Sequence, residues 1–240
     1  MTRSLSAALG AAAVLTVIGG TVAVAAGLSG GPASSEANVT DRAWAQIAQA
    51  PADCAVPRLR AAWRAAGSPK VEGWAEDVTD EEAAAAYACI ESQLDQAFGK
   101  SDEPGAKDYK GWTKVNTVPY ESSTHGGRFV NNYANPTGKA YGKYEKAGIL
   151  PKGTILAKDS FGVDKTGAVK AGPLFTMVKM EQGFNEKSHD WRYALIFPNG
   201  ELMGATGGKN SDGLGFCIEC HAAAQEQDSL FFLPEEYRVK

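Results

Sequence analysis

From residue 128 onward the chain is written in short apolar runs with a two-residue alternation, each closed by Gly, Pro or Asn. Segments 128–133 (RFVNNY), 154–161 (TILAKDSF), 174–180 (LFTMVKM) and 191–197 (WRYALIF) therefore predict strands. Pro198-Asn199-Gly200 turns the last of these into a fifth run at 201–206, a hairpin signal. Segment 138–147 predicts one short helix between strands, and 216–227, rich in Ala and Gln, predicts a terminal helix.

Before residue 100 the apolar period changes to the helical one. Thr40 can cap a short helix at 41–50 that Pro51 ends, and Pro57 opens a second that stops at Gly67. Thr79, followed three residues later by Glu82, has the form of a capping box. The helix behind it sets Tyr87, Ile90, Leu94 and Phe98 on one face and ends at Gly99. Segment 100–107 (KSDEPGAK) is polar and reads as a linker. The pattern as a whole predicts a mainly β (α+β) protein, with a helical hairpin at 40–100 followed by an antiparallel β-sheet domain at 108–240.

Charge and the N-terminus narrow the setting. A net charge of −4 without a Lys/Arg cluster excludes the basic stripe of a nucleic-acid binder. Arg3 precedes a stretch from Leu5 to Ala26 with no charged residue, ending in small residues (Ala23-Val24-Ala25-Ala26) suited to cleavage. This reads as a signal peptide at 1–26, with an uncleaved membrane anchor as the alternative, and 27–39 as a flexible linker. Either reading places the remainder outside the cytoplasm, in the periplasm. That compartment permits disulfides, and Cys54, ahead of one helix, and Cys89, inside another, are expected to form one.

The other two cysteines lie in FCIECHAA, residues 216–223. Cys217-Ile218-Glu219-Cys220-His221 has the spacing that attaches a c-type haem: two thiols one helical turn apart each add to a vinyl group, and the next imidazole ligates the iron. A zinc site needs two more ligands at close spacing, whereas His125 and His189 are isolated. A thioredoxin-type dithiol belongs after a strand of a βαβ unit, which this pattern lacks. One covalent haem c per chain is the expected cofactor, with His221 as the metal ligand. An electron-transfer cytochrome would add a second axial ligand. Met177, Met180 and Met203 sit in apolar strand patterns that favour a core role, and His125 is either a sixth ligand or a polar pocket group.

A long β pattern preceding a C-terminal haem motif is uncommon. The runs TKVNTVPYESSTHGGRFVNNYAN, LPKGTILAKDSF, GPLFTMVKM, DWRYALIFPNGELMGATGG and FCIECH, followed by FFLPEEYR, resemble the cytochrome P-460 family over Trp112 to Arg238. Residues 27–107 fall outside the resemblance. It implies an antiparallel sheet, a homodimer, a mono-haem centre open on its distal side, and oxidation of hydroxylamine with electrons passing to a soluble redox protein. It also implies a lysine cross-linked to the macrocycle, for which Lys158 stands in the matching place with Lys152 and Lys179 as rivals. A distal acid is implied too, and Asp212, nine residues before His221, falls about there. Arg128 is the candidate donor to a bound oxyanion or a propionate. The related β-sheet cytochrome c prime binds nitric oxide in a phenylalanine-lined pocket, a role open to Phe129, Phe161 and Phe175. The expected substrate is therefore a small nitrogen species, hydroxylamine or nitric oxide, with Lys158, Asp212 and Arg128 as candidate catalytic residues.

Overall fold

The computed structural model describes residues 54–240. The signal peptide expected at 1–26, the linker expected at 27–39 and the helix expected at 41–50 lie outside the described residues. Two helices come first, α1 (Pro57–Ala65) and α2 (Asp80–Phe98). Pro57 opens α1, where its missing N–H costs nothing, and Thr79 caps α2 through the capping box read from the sequence. Cys54 and Cys89 are disulfide-bonded with Cα atoms 5.7 Å apart.

The rest is one eight-stranded antiparallel sheet. Its strands are β1 (Thr113–Lys114), β2 (Tyr120–Ser122), β3 (Arg128–Ala134), β4 (Ile155–Val163), β5 (Val169–Ala171), β6 (Leu174–Lys179), β7 (Trp191–Ile196) and β8 (Leu202–Ala205). The order is β1-β3-β4-β6-β7-β8, with β2 also on β3 and β5 also on β4. The five predicted strands are all present within a residue or two. The three that went unread, β1, β2 and β5, are two or three residues long, too short to show an alternation.

Register assigns the faces, because directly opposed residues in an antiparallel pair share one side. Asn132, Lys158, Phe175 and Leu195 form one cross-strand row, and Ala134, Leu156, Met177 and Tyr193 form the next row on that face. The intervening residues, among them Phe129, Tyr133, Ala157 and Phe161, point the other way and pack with Tyr87, Ile90, Leu94 and Phe98 of α2. The hairpin therefore shares a core with the sheet. The opposite face carries a second core completed by the C-terminal segment through Leu214, Leu230 and Leu233.

Two connections differ from expectation. The polar stretch 100–107 is packed rather than loose: Ser101 and Ala106 are buried, and Glu103 takes two hydrogen bonds from Arg192 of β7 at 2.7 and 3.2 Å. Segment 138–147 forms a 3-10 run, Pro136–Lys146, broken at Tyr144 (φ 56). Two glycines, Gly138 and Gly142, weaken an α-helix there, and the Asn135 side chain caps the run instead. At the C-terminus α3 (Gly215–His221) passes into a 3-10 run, Ala222–Gln227, and not into one continuous helix.

Candidate functional site

A cavity of about 490 Å³ lies on the sheet face away from the hairpin. This is within the roughly 300–1,000 Å³ typical of small-molecule and cofactor sites. Its floor includes the row Asn132, Lys158, Phe175 and Leu195, one wall is α3 with the chain that follows, and another is the loop 122–128.

On α3, Cys217 and Cys220 are three residues apart and so share a helical face, and both line the cavity. Both are free thiols, while the other two cysteines are bonded. Burial, then the nearby Cys220, pushes the Cys217 thiol up to about 11. His221 follows on the same wall with its ring against Tyr193 (centroids 5.0 Å apart) and Phe231 (5.4 Å). Its Nδ1 lies 2.8 Å from the Ser229 carbonyl oxygen. A carbonyl only accepts, so Nδ1 carries the proton and Nε2 keeps its lone pair, the arrangement a ligating histidine adopts. Burial lowers the His221 pKa, which favours that neutral form.

The Ser229 carbonyl is presented by a turn in which Asp228 and Ser229 both have positive φ (58 and 59). Asp228 is pinned there: its carboxylate accepts from Leu150 N–H at 2.9 Å and from Lys179, and its carbonyl accepts from Trp191 Nε1 at 2.7 Å. Sequence reasoning missed Asp228, Ser229 and Tyr193. A paired Asp-Ser after an Ala/Gln-rich run signals a turn, yet nothing in the sequence says which side chain that turn serves.

The loop wall carries His125 and Arg128. His125 Nδ1 is 2.8 Å from Ser122 Oγ and 3.2 Å from Thr124 Oγ1, and the ring sits edge-on to Phe175 at 4.9 Å. Burial first, then the positive charge of Lys158, lowers its pKa to about 2. Arg128 donates to the His125 carbonyl at 3.1 Å, and burial lowers its pKa as well. Lys158, half-buried on the floor, is pushed down to about 8 by burial, against a smaller opposing pull from Cys220.

The structure brings together Cys217, Cys220, His221, Lys158 and Arg128, all on the cavity. It does not bring Asp212 there. Asp212 is exposed on the 3-10 turn Ser211–Leu214, which Gly213 N–H closes on the Asn210 carbonyl at 3.1 Å, so the turn reading of that stretch describes it. The carboxylate that lines the cavity is that of Glu121, exposed at its rim and also missed by sequence reasoning. Of the rival lysines, Lys152 pairs with Glu181 and Lys179 with Asp228, both away from the cavity. Of the three phenylalanines only Phe175 lines it, because Phe129 and Phe161 stack on each other at 5.4 Å on the far face. Met177 and His125 line it, whereas Met180 and Met203 do not.

These residues fit a covalent haem. Two free thiols and an imidazole with one free nitrogen converge on one wall of a largely apolar cavity, and the buried Tyr193 hydroxyl beside them has no hydrogen-bond partner among the described residues. Among the described residues no group of three or more His, Cys, Asp or Glu is placed to hold a bare metal ion. The chain matches no curated protein. The sequence model of the cytochrome P-460 family matches residues 106–232, more than half the chain and close to the span over which the motifs resemble it. The chain therefore belongs to the cytochrome P-460 family and is a c-type haem protein, carrying its haem c covalently.

Proposed function

We propose that this protein is an exported oxidoreductase that oxidises a small nitrogen species, hydroxylamine first among them, in the cavity between α3 and the loop 122–128. One observation carries the reading: the two free thiols and His221 occupy one wall, while a second wall and the floor present His125, Arg128 and Lys158 to the same space. Haem c, when bound, would supply a redox-active iron. Cys217 and Cys220 would hold it through thioether bonds, and His221 would ligate the metal through Nε2, its Nδ1 proton being committed to Ser229.

The chain's own groups then divide the remaining work. His125 is neutral at physiological pH, and a neutral imidazole offers one donor and one acceptor, so it can hydrogen-bond an N–H or O–H substrate and orient it without carrying charge. It is the polar pocket group of the loop wall, and the proton-accepting role expected of Asp212 has no carboxylate inside the cavity to fill it. Arg128 supplies a fixed cation for a developing oxyanion. Lys158, with its pKa near 8, is partly the free amine, the form that a bond from Nζ to the macrocycle requires. The reading extends to a periplasmic homodimer that passes its electrons to a soluble redox protein.

The test begins with protein purified from a host that matures c-type cytochromes. Its mass should exceed that of the chain by one haem, its ferric form should lack a second protein ligand, and it should consume hydroxylamine in the presence of an electron acceptor. A colourless protein, or a six-coordinate ferric spectrum with Met177 or His125 bound, sinks the proposal. A second reading, nitric oxide binding without turnover, is favoured by the absence of any interior carboxylate among the lining residues. Stable nitric oxide uptake with no hydroxylamine consumption would select it.

A further inference from the structure

The hairpin lies outside the matched family segment, yet one residue between its helices reaches the cavity wall from behind. Trp74 is half-buried, and its Nε1 donates to the Gly126 carbonyl at 3.0 Å. The Arg128 guanidinium carbon lies 5.6 Å over the same ring, within cation–π reach. The indole is fixed at its own end as well. Trp74 forms an antiparallel bridge with Asp164, and Ala75 N–H donates to the Val163 carbonyl at 2.9 Å.

Gly162 of β4 makes the seat, since a Cβ there would fall 2.3 Å from the indole ring. No side chain of ordinary size fits at 162 without expelling Trp74. The held segment needs an outside anchor, because Gly126 and Gly127 both adopt positive φ (79 and 62) and glycine contributes little stiffness of its own. That glycine pair joins His125 to Arg128, the two polar residues of the loop wall.

We propose that Trp74 is a positioning residue for the cavity. Through Gly126 and Arg128 it holds the loop 122–128 against the ligand space, so that the helical module completes a pocket built by the sheet domain. The assignment of that space to a ligand rests on the function proposed above; the anchoring of the loop does not.

The experiment uses the full-length haem-loaded protein and its Trp74→Phe and Trp74→Ala variants. Two readouts are taken: hydrogen–deuterium exchange of the amides in 123–128, and the infrared stretching band of carbon monoxide bound to the reduced protein. Trp74→Phe keeps an aromatic ring at this position and removes the indole N–H. It should speed exchange in the loop by roughly 3- to 10-fold, the range for losing one hydrogen bond, and shift the carbonyl band. Gly162→Ala should speed exchange likewise with the indole still present in the chain. If Trp74→Ala does not fold, Trp74→Phe decides. Parental exchange rates in Trp74→Phe overturn the inference. Faster exchange with an unmoved carbonyl band upholds the anchoring and counts instead against the ligand space proposed for the loop.

Discussion

The two faces of the sheet treat buried charge in opposite ways, and adjacent residues of β4 show it. Lys158 and Asp159 enter opposite faces by strand alternation. Asp159 is fully buried toward the hairpin, where it accepts from Tyr87 Oη at 2.6 Å, Tyr109 Oη at 3.2 Å and Asn131 Nδ2 at 3.1 Å, with the Lys110 ammonium 4.0 Å away. Burial raises its pKa, and those donors pull it back. Lys158, one residue earlier, makes no hydrogen bond or ion pair among the described residues, and its pKa is lowered. The hairpin face is thus closed, with its charge solvated by side chains and its cysteines bonded. The cavity face holds free thiols, an imidazole with a free nitrogen and an orphaned tyrosine hydroxyl. Thiols, an imidazole nitrogen and a tyrosine hydroxyl left open on one cavity mark where another molecule completes the structure.

That contrast is broken most directly from the closed face. Asp159→Leu strands the Tyr109 hydroxyl, takes the carboxylate acceptor from Tyr87 and leaves Lys110 with only its more exposed partner, Glu91. Thermal or denaturant unfolding should show a loss of about 3–5 kcal/mol, the scale for removing one member of a buried charged cluster. A loss below about 1 kcal/mol, the ordinary worth of a single hydrogen bond, would mean that the face is not closed in the energetic sense. Replacing Cys54 and Cys89 together by Ala opens a cross-link over 35 residues and should cost about 2–4 kcal/mol, with the optical spectrum unmoved. A spectrum that shifts with the disulfide would show that the two faces are coupled.

How much of this was legible in the sequence follows the same division. The strands of four or more residues, the capping box at Thr79 and the Cys54–Cys89 pair could be read because each rests on local spacing or on cysteine arithmetic. The haem motif was legible for the same reason. The groups that serve it were not. Ser229 and Asp228 act through a backbone carbonyl and its turn, and Trp74 acts across 52 residues on a glycine carbonyl. Asp212 drew attention by its distance along the chain from His221, but distance along the chain does not fix direction at a turn. Segment 100–107 looked like a loose linker because its composition is polar, although the Glu103–Arg192 pair makes that polarity part of the packing.

On the open face the expected effects on stability are smaller and the effects on chemistry larger. Lys158→Met removes a half-buried amine that no partner compensates, so unfolding should be neutral or stabilised by about 1 kcal/mol. The same variant should keep covalent haem while its spectrum becomes that of an ordinary c-type cytochrome. An unchanged spectrum would remove the cross-link from the proposal and leave the packing argument standing.

The finest test is the acid limb of the stability curve, where the two faces differ in sign. His125 titrates at about 2 in the fold against 6.5 when free, so between those values the unfolded chain holds a proton that the native one lacks. Its contribution is fully present above pH 6.5 and falls as the pH drops, by up to about 1.4 kcal/mol per pH unit. Asp159 acts in the opposite sense: with its native pKa raised, the fold binds the proton more readily, and acid favours the native state through that group. Loss of stability below pH 6.5 therefore belongs in part to the cavity and not to the buried carboxylate. His125→Asn, which can still bond Ser122 but does not titrate, should flatten the denaturant midpoint between pH 6.5 and about 4, while Asp159→Asn should steepen it. Parallel curves for His125→Asn and the parent would show that His125 is solvated in the native state, and the buried neutral imidazole assigned to the cavity would be lost with it.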